Sequence, residues 1–484
     1  MSFSLIITLL LVLVIVGAFV ILLSDEGDGG RKLLWLITII LLPFAGLVLY
    51  LIFGLNFRNR RYFEHKHKPF ADWISKSSRA WRILRGDDSG VEQRFRSFAR
   101  LLKGKLLPGV SGGNDVEIIT EGPRKLEALL EDIENATEYI HFQYYLFGDD
   151  VSGRAVKEAL MRKASQGIKV RLLHENVANY DTKRSFYNQM RKSGVEVVRT
   201  YNPKFRLLRL ITRLNYRNHR KIVIIDGRIG YTGGMNIKDR YFTKWRDTHL
   251  RIIGPAVSQL QYIFLDSWIT SGGMPDKEPD YYFPEEFHKP QDSEKAARRM
   301  LKDKLVQVTP DEPDTQYPVI ELGYIWAITN AKDYIWLQTP YFIPPPSVLA
   351  ALKAAALSGV DVRVMVPQES ENFFIGPAVR SYYKECLAVG IRIYERGGGF
   401  IHSKTFVVDD YLSSVGSANI DNRSLNINYE VNTYLYDKEA ALESKAIFLK
   451  DLKLSTEILP KDISHLSFGR RFGQKVIRLF ASQL

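Results

Sequence analysis

Two short stretches of the chain carry the same reactive side chains at the same spacing. The first reads His219-Arg-Lys221-Ile-Val-Ile-Ile-Asp226 and is followed by Gly233-Gly-Met-Asn236. The second reads His402-Ser-Lys404-Thr-Phe-Val-Val-Asp409 and is followed by Gly416-Ser-Ala-Asn419. The register continues without gaps to Arg240 and Arg423, and to an acidic pair, Asp247 and Glu430. One such match means little; two, each with its glycine and asparagine follower, are a strong signal. An imidazole can attack phosphorus or carry a proton, and lysines can stabilise charge on the non-bridging oxygens of a phosphodiester. His and Lys two apart on a strand project from one face, so bringing the copies together is expected to put two histidines and two lysines around one pocket. One imidazole then attacks while the other protonates the leaving alkoxide. A carboxylate on the far ring nitrogen fixes the tautomer, a part that suits Asp247 and Glu430. Asp226 and Asp409 suit tying down the lysine-bearing strands, with Asn236 and Asn419 in support. The chain has no H-E-x-x-H, no cysteine pair and no dense acidic cluster, and paired lysines repel a divalent ion, so neither a metal nor another cofactor is expected.

These motifs close two copies of a longer unit. Ala136-Thr-Glu-Tyr-Ile-His-Phe-Gln143 resembles Ala331-Lys-Asp-Tyr-Ile-Trp-Leu-Gln338, and Gly167-Ile-Lys-Val-Arg-Leu-Leu173 resembles Gly359-Val-Asp-Val-Arg-Val-Met365. Gly194-Val-Glu-Val197 resembles Gly390-Ile-Arg-Ile393. Each copy leads from a helical pattern through a glycine into a short β-branched run, the signature of helices alternating with buried strands. The body therefore reads as α/β, two homologous domains related by a pseudo-twofold axis, over residues 113–300 and 301–484. Gly194 and Gly390 lie 196 apart and His219 and His402 only 183, so the first copy carries 13 extra residues before its histidine. They fall in 203–217, where bases interleave with Leu, Ile and Phe. That is the pattern either of an interfacial amphipathic element beside the site or of a helix packed on the body.

Ahead of the body, residues 2–23 and 33–57 contain no charge. Each exceeds the ~20 apolar residues needed to cross a bilayer, so residues 1–57 are expected to form a transmembrane hairpin, with Pro43 kinking the second helix. Arg58, Arg60, Arg61, Lys66 and Lys68 follow directly, which places both termini and the catalytic domains on the cytoplasmic side of a multi-pass cell-membrane protein. Residues 58–112 form a basic juxtamembrane segment. Between Arg58 and Lys105 there are 14 Lys/Arg against 5 Asp/Glu, interspersed with Trp73, Trp81, Phe95 and Phe98. This is either a surface for anionic headgroups or a solvated linker. The tail, Phe468 to Phe480, is basic and amphipathic: a membrane contact, or a terminal helix docking Val476, Ile477 and Phe480 on the body. A net charge of +13 suits a phosphate-bearing partner, nucleic acid or anionic lipid. The single cysteine, Cys386, excludes an intrachain disulfide.

The paired H-x-K-x4-D motifs with their G-[GS]-x-N followers resemble the phospholipase D superfamily. The order of two spans, basic segment and two motif-bearing units is closest to bacterial cardiolipin synthases, as are Asn218-His-Arg-Lys-Ile-Val-Ile-Ile-Asp226-Gly and Tyr231-Thr-Gly-Gly-Met-Asn236. The resemblance implies two phospholipase D-like domains behind the hairpin, and catalytic residues His219, Lys221, Asp226, His402, Lys404 and Asp409. It further implies condensation of two phosphatidylglycerols to cardiolipin and glycerol through a phosphatidyl-histidine, with His219 as nucleophile and His402 as acid. Partners would be phosphatidylglycerol and anionic membrane lipids rather than nucleic acid, with no oligomer needed for catalysis. Where the family carries Gly-Ser after the first motif this chain has Gly233-Gly234, so headgroup contacts are expected to differ there. The rivals are a hydrolytic phospholipase D, with water as acceptor, and a nuclease of the same superfamily.

Overall fold

The computed structural model describes residues 29–50, 60–104, 107–200, 216–285, 299–313, 317–371, 373–464 and 467–479, with a few isolated positions between them. Short β-branched runs form strands and the alanine-rich stretches between them form covering helices. In the first half the strands are β1 (Ser111–Ile119), β2 (Tyr139–Tyr144), β3 (Lys169–His174), β4 (Glu196–Arg199), β5 (Ile222–Ile225), β6 (Ile229–Gly233) and β7 (His249–Ile253). In the second they are β8 (Leu301–Asp311), β9 (Tyr334–Gln338), β10 (Asp361–Pro367), β11 (Arg392–Arg396), β12 (Thr405–Val408), β13 (Leu412–Gly416), β14 (Glu430–Tyr436) and β15 (Ser455–Ile458).

The strand order β1-β7-β6-β5-β2-β3-β4 recurs in the second half as β8-β14-β13-β12-β9-β10-β11, with β15 added at the edge. β1 and β8 pair antiparallel at the centre, so the pseudo-twofold axis passes between them. Only β2-β3-β4 and β9-β10-β11 run parallel, and these are the strands joined through helices such as Val151–Ser165 and Pro346–Leu357. A parallel pair requires such a crossover, and its strands are covered on both faces. β2 is accordingly buried throughout, and the antiparallel β5 and β6 beside it are buried as well. The mostly apolar helix Ala256–Thr270, almost wholly buried, packs Leu260, Ile263, Phe264 and Trp268 into one core cluster.

The basic segment is built into this body. Helices Arg60–Ile74 and Ser78–Arg85 place Phe70, Ile74 and Leu84 in a core cluster that both halves share, with Trp73 and Trp81 packed against it. Phe95, Phe98 and Leu102 join the second-half core. The aromatic residues therefore face protein, while Arg82 and Arg100 stay largely exposed. The tail helix Phe468–Leu479 also docks: Ile477 packs on the core and the Arg478 guanidinium lies 4.1 Å from the centre of the Tyr382 ring. Phe472 and Val476 remain exposed.

Among the described residues no helix is long and apolar enough to cross a membrane. The stretch expected as one span over 33–57 contains two pieces, Gly29–Leu41 and Pro43–Leu49. Pro43 lacks an amide donor and drives the residue before it out of the helical region; Leu42 sits at φ −134°, ψ 71°. The second piece folds back on the first. A Cβ on Gly46 would lie 2.6 Å from the Thr38 carbonyl oxygen, and the Trp35 and Tyr50 rings meet edge to face at 5.5 Å. Apart from isolated positions, residues 2–23 lie outside the described residues, as do 51–57 and residues 203–215 of the basic insertion.

Asp226 and Asp409 hold the turns after β5 and β12. Each has a left-handed backbone, φ 52° and 48°, which Asp tolerates better than most residues. The Asp226 carboxylate accepts from the amides of Thr137, Glu138 and Tyr139 at 2.8, 2.8 and 2.9 Å; Asp409 does the same with Lys332, Asp333 and Tyr334 at 2.8, 2.9 and 3.0 Å. Each carboxylate thus anchors the strand that pairs with the motif strand, β2 or β9. Bonds to an ionised acceptor contribute ~1.5–3 kcal/mol each. Asp226→Ala is expected to lower unfolding free energy by about 2–4 kcal/mol, and Asp226→Asn by less, since Asn keeps the left-handed preference and one acceptor. Denaturant melts of the two variants in detergent test this.

Candidate active site

The two halves exchange contacts beside their histidines. Asn218 bridges Tyr429 and Arg246 bridges Ile401, each pair joining one half to the other. The His219 amide donates to the Tyr429 carbonyl at 2.9 Å, and the His402 amide to the Arg246 carbonyl at 2.7 Å. Both histidines line one cavity of about 440 Å3, together with Tyr145, Arg217, Arg240, Tyr341, Glu371, Asn419, Asp421 and Arg423.

The carboxylates are paired crosswise. His219 Nδ1 lies 3.0 Å from Glu430 Oε2, and His402 Nδ1 lies 2.6 Å from Asp247 Oδ2. Asp247, from the first half, therefore holds the histidine of the second, and Glu430 the reverse. With Nδ1–H donated to a carboxylate, Nε2 of each ring keeps its lone pair. The rings are further packed by aromatics: Tyr145 meets His219 edge-on at 4.7 Å, and Trp245 lies 5.1 Å from His402.

The lysines are placed differently from expectation. His219 and Lys221 sit in the extended lead-in to β5 rather than on the strand, and His402 and Lys404 likewise before β12. Lys221 Nζ turns back onto the His219 carbonyl at 2.6 Å. Lys404 Nζ reaches both His402 Nδ1 at 2.9 Å and its carbonyl at 2.5 Å. Both are buried behind the histidines and do not line the cavity. Burial pushes the Lys404 ammonium down to about 8 and holds Lys221 well below the ordinary range, with the facing lysine adding to the shift at Lys221. Asp226 and Asp409 stand at the far ends of β5 and β12, on the order of 15 Å along the strand from the motif lysines; they belong to the turns, not to the cavity. Asn236 is fully buried, accepting from the Leu146 amide and donating to the Tyr241 hydroxyl at 2.7 Å, whereas Asn419 lines the cavity.

The pseudo-symmetry is broken at one small residue. Ser417 donates to Glu430, as does Asn428 at 3.2 Å. Gly234 is the counterpart of Ser417, and a Cβ there would lie 2.1 Å from Asp247 Oδ1. The missing hydroxyl is therefore felt at the carboxylate, which moves into the space. Although burial pushes the Glu430 carboxyl up, the His219 ring, Lys221 and Ser417 bring it below its usual value. Burial of Asp247 wins over Lys404 and the Thr248 amide, lifting it to about 6. Burial also drives His219 down to about 4 and His402 well below the ordinary histidine range. The His402–Asp247 pair accordingly takes up a proton nearer neutrality than the His219–Glu430 pair, and the two titrate as units.

Four contributors carry no motif signal: Tyr145, Trp245, Glu371 and Arg220. Glu371 accepts from Arg240 at 3.1 Å and from the Tyr341 hydroxyl at 2.5 Å. Arg220 is buried and ties the Glu430 and Asp311 carbonyls to Glu312. Its place between His219 and Lys221 could have drawn attention, but its alternation onto the opposite face hid its partners. Among the described residues one group has metal-ligand spacing, His67, Asp266 and Glu312, outside the cavity. There the imidazole already bonds Asp266 at 2.8 Å and approaches Glu312 at 3.2 Å, while Glu312 pairs with Arg220.

The His219–Glu430 pair sets a pH dependence of folding. A histidine lowered to about 4 leaves the unfolded chain holding more protons between pH 4 and 6.5, so its contribution to stability is lost as pH falls through that window. At 1.36 kcal/mol per pKa unit, this group makes the protein ~2 kcal/mol less stable at pH 5 than at pH 7. Asp247 acts with the opposite sign but is present in both proteins compared. His219→Gln is expected to lose correspondingly less between pH 7 and 5 in paired thermal melts.

Comparison with known proteins completes the assignment. The family described as cardiolipin synthase, phospholipase D-like domain, matches residues 129–268 and 324–452, and a phospholipase D–nuclease N-terminal family matches 12–54. The chain is 36% identical to a cardiolipin synthase of Geobacillus sp. (strain WCH70), covering 96% of this chain and 91% of that one. It is 34% identical to the major cardiolipin synthase of Bacillus subtilis (strain 168), covering 99% and 98%. Among solved structures, a phosphatidylserine synthase from Haemophilus influenzae Rd KW20 shares the fold, with a TM-score of 0.55 at 14% identity over 76% of this chain and 92% of that one. The chain belongs to the cardiolipin synthase family of phospholipase D-type phosphatidyltransferases.

Proposed function

We propose that the chain condenses two phosphatidylglycerols into cardiolipin and glycerol at the cavity shared by His219 and His402. The observation that carries this reading is the crossed pair of imidazole–carboxylate units, one histidine from each half, opening on one cavity. His219 Nε2 attacks phosphorus, forming a P–N bond as the P–O bond to the headgroup glycerol breaks. The His402–Asp247 pair, which binds its proton nearer neutrality, delivers it to the departing alkoxide. Glu430, held ionised, stabilises the positive charge left on the His219 ring. The terminal hydroxyl of a second phosphatidylglycerol then attacks the phosphatidyl-histidine, giving its proton back to the His402 side and releasing His219. Lys221 and Lys404, buried behind the two histidines, favour the phosphodiester anion by their charge from beneath the cavity rather than by lining it.

The N-terminal segment fits a membrane anchor in this reading. The uncharged stretches 2–23 and 33–57 keep the body on the cytoplasmic face of the cell membrane, the second entering the bilayer as an element bent back at Pro43 rather than as one straight span. Because each chain supplies both histidines, catalysis needs no second copy.

Purified protein incubated with phosphatidylglycerol alone is expected to release equal amounts of cardiolipin and glycerol, and His219→Ala is expected to release neither. Phosphatidic acid as the main product would instead identify water as the acceptor. The division of labour is tested with a phosphatidyl ester of a p-nitrophenol, a leaving group that needs no proton. His402→Ala should retain most of its nitrophenolate burst on that substrate while losing at least a hundredfold on phosphatidylglycerol, and His219→Ala should lose both.

A further inference from the structure

The cavity mouth is flanked by loops that follow equivalent strands of the two halves, and both carry exposed aromatic side chains. After β3, Tyr180 is 88% exposed; after β10, Phe373 is 81% and Phe374 59% exposed. Tyr180 and Ile375 border the cavity itself, so both loops form its rim. Scattered exposed apolar residues are ordinary, and Val151, Met274 and Leu357 are of that kind. Aromatics on both sides of one cavity are not scattered.

Nor does Tyr180 project for want of order. It stands between two buried anchors: Asn179 bonds the Tyr145 and Glu175 carbonyls at 2.8 and 2.7 Å and accepts from the Phe147 amide at 2.7 Å, and Thr182 donates to the Phe147 carbonyl at 3.0 Å. The loop is fastened at its base so that the ring points outward. On the opposite rim Phe373 and Phe374 brace one another edge to face at 5.5 Å. Lys183 and Arg184, also exposed, lie just beyond Tyr180 and complement anionic headgroups.

We propose that Tyr180 on one rim and Phe373 with Phe374 on the other insert into the headgroup–acyl boundary of an anionic bilayer, seating the cavity mouth directly on the lipid surface. The inference rests on the lipid substrates proposed above. Acyl chains stay in the bilayer because water is a poor solvent for them, so a headgroup can reach the histidines only if the mouth comes down to the headgroup layer. Aromatic rings are suited to that depth, having an apolar body and favourable interfacial partitioning.

The test uses the full chain reconstituted in phosphatidylglycerol-containing vesicles, with an environment-sensitive fluorophore on Phe373→Cys. Cys386 is buried with its thiol pushed up to about 12 and does not compete for the label. Quenching by lipids brominated in the upper acyl chain, with protection from iodide, is expected at 373 and not at a Leu357→Cys control. Iodide access without lipid quenching overturns the proposal. So does shielding in detergent that depends on protein concentration, which would assign the rim to a second copy. Activity adds a second readout: Phe373→Ser with Phe374→Ser should cut turnover on vesicles at least tenfold and on monomeric short-chain phosphatidylglycerol less than twofold. Lipid quenching without any cardiolipin formed would leave the rim standing and overturn the reaction instead.

Discussion

Each histidine is completed by a carboxylate from the other half of the molecule, and most of the architecture follows from that crossing. A buried imidazole with an unbonded Nδ1 carries a desolvation cost and an undefined tautomer. Glu430 relieves this at His219, and Asp247, with Lys404 Nζ also within 2.9 Å of Nδ1, at His402. The paired backbone bridges at Asn218–Tyr429 and Arg246–Ile401 hold the exchange to within hydrogen-bonding tolerance. The central β1–β8 pairing makes the two halves one sheet rather than two mobile lobes. The motif lysines and the buried Arg220 are arranged around this seam.

The proposed reaction asks a symmetric frame to act asymmetrically, one imidazole attacking and the other giving up a proton. The asymmetry comes from small differences laid on equivalent positions. Glu430 receives hydrogen bonds from Ser417 and Asn428, whereas the shorter Asp247 packs against Gly234 without such a hydroxyl. Donors to a carboxylate favour its ionised form, and Asp247 keeps the Thr248 amide at 2.7 Å but has no hydroxyl in the place of Ser417, so burial weighs more heavily on it. The two pairs therefore part in proton affinity although their geometry is nearly the same. Farther out, Arg240 pairs with Glu371, while its counterpart Arg423 lies among Arg217, Asp421 and Glu175.

The basic segment between the apolar N-terminus and β1 changes meaning once folded. Its charges suggested a surface for headgroups, yet its aromatics fill gaps in the body, and Lys66 and His67 reach Tyr429 and Asp266 beside the motif strand. The helix nearest the apolar segment is thereby clamped to the region that positions His219.

Much of this was legible in the residues alone. The doubled His-Lys-Asp spacing, the repeat of helix and β-branched run, and the acidic residues at 247 and 430 are local patterns, because strand periodicity and backbone-anchored motifs are written at short range. Which carboxylate serves which histidine was not legible, since that depends on a pairing between residues some 155 and 211 positions apart. The burial of Lys221 and Lys404 behind the imidazoles, and the retreat of Asp226 and Asp409 to distant turns, likewise follow from how strands stack rather than from spacing. Pro43 announced a bend but not that Pro43–Leu49 would fold back on Gly29–Leu41. Sequence determined the paired His-Lys-Asp residues and the unit that repeats; tertiary structure decided their partners, because proton affinity in a buried site is set by whatever the fold brings within about 4 Å.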